Sequence, residues 1–239
     1  MDLFENFFRS AFSVDPVVFG FDEGDLKVLL IYRGADPYKG TWALPGDLVR
    51  MDEELDESAK RVLKDLTSLS NLYMEQIRTF GRVDRHPLGR VITVAYLSIV
   101  RISDYKINPS SWAKEAQWHS VSKLPDLPFD HSEILSFAKT KLKERVRNQP
   151  IGFELLPPHF TLTEIQHLYE SILEINLDKR NFRKKLNSMD LLVDCEKSQH
   201  AVAHRPAKLY RFDNKRYRAL LKKGFSFRSE EHTSELQSH

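Results

Sequence analysis

A chain of 239 residues, 41% of them hydrophobic, is long and apolar enough to bury one large core or two smaller ones, which excludes a disordered or fibrous polymer. The net charge of +2 hides an asymmetry: residues 1–148 carry 21 Lys+Arg against 22 Asp+Glu, residues 149–228 carry 15 against 9, and the last stretch adds three Glu and no base. The single cysteine, Cys195, excludes an intramolecular disulfide and a cysteine-built zinc site, and reads as an inert thiol in a reducing compartment.

In chain order, VDPVVFGFD and LKVLLIYRG, separated by an Asp-Glu-Gly-Asp turn, read as a hairpin. A Pro/Gly loop, ADPYKGTWALPGD, leads into an amphipathic helix whose stripe is Leu55, Ala59, Val62, Leu63, Leu66 and Leu69. Asp52, Glu53, Glu54, Asp56 and Glu57 cluster at its start, where the helix dipole favours negative charge without any metal. MEQIRTFGRVDR and VITVAYLSIV follow as a strand pair around HPLGR. The second of these, at 91–100, is too short to cross a membrane; with no basic-then-apolar leader ahead of it, the expected location is cytoplasmic. WAKEAQWHSVSKLP gives one more strand, and FDHSEILSFAKTKLKERV a helix with Ile134, Leu135, Ala138 and Leu142 inward, ended by Asn148, Gln149 and Pro150.

Beyond Phe160 the pattern changes. TLTEIQHLYESIL is an amphipathic helix capped by Thr161 or Thr163, with Ile165, Leu168, Tyr169 and Ile172 inward. The turn EINL leads to DKRNFRKKLNSM, where Phe182, Leu186 and Met189 make an apolar stripe among Lys179, Arg180, Arg183, Lys184 and Lys185. A helix, a short turn, a basic helix and polar residues ahead of the strand AKLYRFD describe a winged helix-turn-helix, with residues 193–207 as the wing. The tail from Arg228, RSEEHTSELQSH, has no apolar period, looks like read-through of adaptor DNA and is expected to be disordered.

Residues 44–69 resemble the Nudix box, G-x5-E-x7-R-E-U-x-E-E-x-G-U, with U a bulky aliphatic residue. Alignment on Arg61 puts Glu53, Leu63 and Leu69 in register. It also puts Asp47 at the first Gly, Val62 and Leu66 at two of the Glu positions, Asp65 at the third, and Ser68 at the last Gly. In the intact box the three Glu converge from one helix face on a divalent cation that polarises a diphosphate. One aspartate between two apolar groups does not assemble that site, so no catalytic residue, metal or cofactor is expected.

Together with DRHPLGRVITVAY, FDH at 129–131, PIGFELLP, FTLTEIQHLYE and DKRNFRKKL, the box makes the chain similar to Nudix-related transcription regulators of the NrtR type, including an AraR-like branch. The resemblance implies an α+β fold, with a Nudix-like mixed sheet between helices over residues 10–148 and a winged helix over 149–227. It also implies a homodimer on a double-stranded DNA operator, released or re-posed by a small-molecule effector: ADP-ribose or a related nucleotide in NrtR proteins, L-arabinose in the AraR-like branch, to which KRVLKDLTSL is closer.

DNA contacts are expected from Lys179, Arg180, Asn181, Arg183, Lys184 and Lys185, and from Arg205 near the wing tip. Arg33, Trp42, Arg82, Asp84 and Arg85 are candidate ligand contacts, since arginines there suit phosphate or carboxylate, or plain ion pairs with Asp84 and its neighbours. His131 has no cluster of metal-binding neighbours and is expected to be structural, at the interface between the domains. Two rival readings are a Nudix hydrolase using rearranged carboxylates such as Glu53, Glu57 and Asp65, and a domain that only mediates assembly.

Overall fold

The computed structural model describes residues 10–150, 152–199 and 206–222. Strands β1 (Ala11–Asp22) and β2 (Asp25–Arg33) form the expected hairpin, turning at Glu23 and Gly24, both at positive φ. The loop after β2 holds two short strands, β3 (Trp42–Ala43) and β4 (Asp47–Leu48), before helix α1 (Leu55–Thr67). Then come β5 (Glu75–Phe80), β6 (Val91–Arg101), a 3-10 turn at Ile102–Asp104, β7 (Ala113–Ser120) and helix α2 (His131–Asn148). The expected strand 74–85 stops at Phe80. Beyond it the backbone turns, with the Arg85 N–H donating to the Arg82 carbonyl at 3.3 Å.

The sheet runs β3-β2-β1-β6-β5, with β4 also paired to β1 and β7 to β2. β1 and β6 are parallel, from Ala11 opposite Val91 to Phe21 opposite Arg101, while β5 lies antiparallel to β6 and β7 antiparallel to β2. It is therefore the mixed sheet that the sequence predicts. Strand alternation sends Val14, Val94 and Tyr96 to one face, where they pack with Ala59, Val62 and Leu66 of α1. Phe80, opposite Thr93 and so on the other face, meets Phe137 of α2 edge-on at 6.1 Å. Helices thus cover both faces.

Helix α1 ends on Ser68 at φ 64°, a left-handed position where the box pattern asks for glycine. Its hydroxyl donates to the Asn108 carbonyl at 2.8 Å.

Contacts divide the chain into two compact units: residues to Asp22 with Leu26–Lys141, and residues from Leu142 onward with Glu23–Asp25. In the second unit, α3 (Gly152–Leu155), α4 (Leu162–Leu173) and α5 (Lys179–Ser188) precede an antiparallel pair, β8 (Leu192–Ser198) and β9 (Lys208–Phe212), and then α6 (Asn214–Lys222). Residues 193–198 of the expected wing belong to β8, which pairs with β9. The short α3 and terminal α6 had no counterpart in the predicted elements; Asp213 starts α6 by accepting from the Arg216 N–H at 3.0 Å. Arg205, the rest of the wing tip and the tail 228–239 lie outside the described residues.

Candidate functional site

In the first unit a cavity of about 520 Å³ opens where β1 begins, lined by Ser13 and Asp15 of β1, Arg33 at the end of β2, Asp47 and Leu48 of β4, and the 85–91 segment. Asp36, Trp112, Phe129 and His131 are among its other lining residues. Ser13 and Asp15 point away from Val14, and so away from α1. Gly46 allows this packing: a Cβ there would stand 2.0 Å from Oδ1 of Asp15.

A buried ionic network backs the cavity. Arg85, 5% exposed, forks onto Asp130 through Nε at 2.8 Å and Nη2 at 2.7 Å, and Nη2 also lies 3.4 Å from Oδ2 of Asp15. Asp15 further accepts from the Thr93 hydroxyl at 2.7 Å. His131 accepts at Nδ1 from the Leu44 N–H at 3.1 Å, leaving its proton on Nε2, 3.7 Å from Oδ1 of Asp15. Complete burial pushes its pKa down, against a smaller upward pull from Asp15 and Asp130, and a neutral ring is what the Nδ1 acceptor requires. His131 therefore belongs to the cavity wall of the first unit.

The five candidate ligand residues separate. Arg33 and Arg85 line the cavity. Arg82 and Asp84 form a surface ion pair at 2.8 Å and are not among its lining residues. Trp42 is not among them either: opposite Tyr32 in the ladder, it packs against that ring and His119. The tryptophan that does line the cavity is Trp112, with the Arg33 guanidinium 4.7 Å from its ring centre. Asp15 was missed, although a carboxylate inside AFSVDPVVFGFD is a signal in itself.

In the second unit, Thr161 caps α4 and accepts from the Glu164 N–H at 3.1 Å, while Glu164 accepts from the Thr161 N–H. Asp178 caps α5 by accepting from the Asn181 N–H at 2.8 Å. Phe182 and Leu186 are buried, which turns Lys179, Arg180, Asn181 and Lys184 outward. Arg183 and Lys185 are half-buried at the seam. Nη2 of Arg183 donates to the Thr163 hydroxyl at 3.3 Å, and its buried Nε has no hydrogen-bond partner among the described residues. Burial lowers the pKa of Lys185.

A capped helix pair followed by a two-stranded wing, in a chain that also carries the mixed sheet, is matched by two family models: NUDIX domain over residues 11–137, and NrtR DNA-binding winged helix domain over residues 152–212. The chain belongs to the Nudix-related transcription regulators of the NrtR type. It is 37% identical over 204 residues to an ADPR responsive transcriptional repressor of Acinetobacter baylyi, an alignment spanning 84% of this chain and 81% of that protein. Shewanella oneidensis NrtR in complex with a 27mer DNA is similar with TM-score 0.67 and 29% identity, over 84% of this chain and 93% of that one. The NUDIX domain of the same Shewanella protein, complexed with ADP ribose, is similar with TM-score 0.53 and 29% identity, over 59% of this chain and 94% of that domain.

In this NrtR-type chain the box helix does not offer a metal site. Val62 and Leu66, at 0% and 1% exposure, are packed into the core where the pattern has glutamates. Glu53 is held by Arg61 at 2.5 Å and by the Ser58 hydroxyl at 2.8 Å, and Glu57 accepts from the Glu54 N–H at 3.3 Å. Asp65 lies 3.9 Å from Arg61. Among the described residues no group of three His, Cys, Asp or Glu converges as metal ligands, and of the carboxylates in the rival hydrolase reading Glu53 and Glu57 are already hydrogen-bonded to protein. The residues present do not fit a diphosphate-bridging cation.

Proposed function

We propose that this protein is a transcription repressor that binds operator DNA as a homodimer through α5 and the wing, and that an ADP-ribose-type nucleotide in the cavity of its Nudix unit changes that affinity. The observation that carries the reading is the union, in one chain, of a DNA-binding winged helix with a Nudix unit that keeps its cavity while apolar residues fill its metal face. The relative named for its response to ADPR supports the nucleotide, as does the ADP ribose complex of a similar domain. So does size: a cavity of about 520 Å³ falls in the range of pockets that hold drug-sized ligands, larger than a pentose such as L-arabinose needs. A regulator of this kind works in the cytoplasm beside the chromosome. Among the described residues no helix is long and apolar enough to cross a membrane.

An effector shifts an equilibrium only by its differential affinity for the two states, commonly 5–150-fold. The test is fluorescence anisotropy on an operator selected from a random DNA pool, with ADP-ribose, L-arabinose or neither. ADP-ribose should move the apparent Kd by a factor in that range, and L-arabinose should not. A response to the sugar alone would transfer the protein to the sugar-sensing branch, and operator binding indifferent to both would remove the sensor role.

A further inference from the structure

Among the described residues, two cations in the cavity wall have no carboxylate partner. Arg33 ends β2 where the ladder with β7 slips between Tyr32 and Arg33, a bulge that re-aims the side chain. Although only 8% exposed, its guanidinium makes no ion pair among the described residues. Nε donates to the Pro37 carbonyl at 2.8 Å, and the planar group lies 4.7 Å from the Trp112 ring centre and 5.2 Å from that of Phe129. Burial pulls its pKa down by more than Asp15, Asp47 and Asp36 pull it up. Arg90 precedes β6, lines the same cavity and spends Nη1 on the Gly81 carbonyl at 2.6 Å. The third arginine, Arg85, differs, because Asp130 and Asp15 occupy its fork.

A buried guanidinium without a counter-ion is costly unless a ligand supplies one. The aromatic and carbonyl contacts of Arg33 fix the group without neutralising it, and they keep its planar fork oriented, the geometry that suits bidentate phosphate recognition. β1 lies between β2, which Arg33 ends, and β6, which Arg90 precedes, and both side chains line the one cavity. A single ligand there can meet both guanidinium groups.

We propose that Arg33 and Arg90 form the anion subsite of the cavity, clasping a diphosphate from both sides, so that the charged bridge of the effector and not its sugar determines binding. This deepens the reading above and rests on it for the identity of the effector. A neutral sugar satisfies neither guanidinium. A single phosphate satisfies one.

The test is calorimetric titration of the full chain with ADP-ribose, inorganic pyrophosphate and ribose, repeated for Arg33→Gln, Arg33→Lys and Arg90→Gln, each first checked for a native thermal transition. Arg90 is less buried than Arg33, so Arg90→Gln keeps the proposal testable if Arg33→Gln fails to fold. The wild type should bind ADP-ribose and pyrophosphate but not ribose, and each variant should weaken both anions by about tenfold or more. Arg33→Lys should be weakened too, since it keeps the charge and loses the fork. Variants that bind ADP-ribose as tightly as the wild type would overturn the subsite and leave the ADP-ribose reading intact. A wild type that ignores ADP-ribose yet binds pyrophosphate in an Arg33-dependent way would uphold the subsite and overturn that reading. Failure to bind either anion would overturn both.

Discussion

Nε of Arg61 donates to Oε1 of Glu53 at 2.5 Å, fastening the loop ahead of α1 to the middle of that helix. A second hydrogen bond from Arg61, to the Leu48 carbonyl at 2.9 Å, holds the same loop further back. This is the part of the box that survives without its metal, and it makes acid stability readable. The Arg61 hydrogen bond, opposed by a smaller burial effect, lowers the Glu53 pKa from 4.5 to about 2. A carboxylate depressed in the folded state stabilises it above the unfolded pKa, and that contribution is lost as pH falls through the folded one. Urea midpoints should therefore fall between pH 4.5 and 2, with a shallower fall in Glu53→Gln. Identical slopes for both proteins would show the pair to be unimportant.

The buried network behind the cavity predicts an asymmetry. Arg85→Ala leaves Asp15 and Asp130 without their cation, and breaking a buried pair in this way costs about 3–5 kcal/mol. Arg82→Ala removes an exposed pair and should cost less than about 1 kcal/mol. Chemical denaturation of both variants measures the contrast, and equal losses would refute it.

On α5 the outward residues should carry DNA binding. Arg180→Ala or Lys184→Ala should weaken operator binding by about 1–3 kcal/mol for a base contact, or reduce the salt slope by about one for a phosphate contact. Arg183→Ala should act differently, because its guanidinium bridges to Thr163 of α4: the winged helix loses stability while the salt slope holds. Mobility shifts at several salt concentrations, alongside thermal melts, separate the two. A full unit of salt slope lost in Arg183→Ala would place it at the DNA after all.

Catalysis gives the last prediction. The purified protein should hydrolyse ADP-ribose, NADH or dinucleoside polyphosphates no faster than a buffer blank with Mg2+ or Mn2+. Val62→Glu with Leu66→Glu puts two carboxyls among Val14, Ile31, Val94 and Tyr96, each at roughly 2–7 kcal/mol of unpaired burial, so a destabilised protein is expected and not an enzyme. Turnover abolished by Asp65→Ala would reverse this conclusion.

How much of this was legible beforehand follows the range of the interactions. The α1 stripe, the Thr161 cap and the buried Phe182 and Leu186 are written in local periodicity, which short segments carry complete. Residues 81–85 were misread as strand because IRTF has β character and only the backbone turn at Arg82–Arg85 ends it, while HPLGR was read correctly as a turn. The cavity was the least legible part. Arg85 meets Asp130 across 45 residues and Asp15 across 70, and no spacing rule reaches that far. Trp42 reads as a loop residue open to a ligand until the β2–β3 ladder sets it beside Tyr32, whereas Trp112 opens a segment that reads as strand and gives no sign of the cavity.

Gly46, seated without room for a Cβ against Asp15, fixes where the loop begins, and the Arg61 pair fixes where it ends at Glu53. Six residues lie between those two anchors, and the five that separate Asp47 from Glu53 match the hydrolase spacing, so the loop keeps its length. Reviving the enzyme is thus not a matter of reshaping the approach to the helix. The approach survives and the room does not: the face that acids would occupy is filled by the sheet, and the packing around Val62 and Leu66 would have to be rebuilt before a carboxylate could stand there.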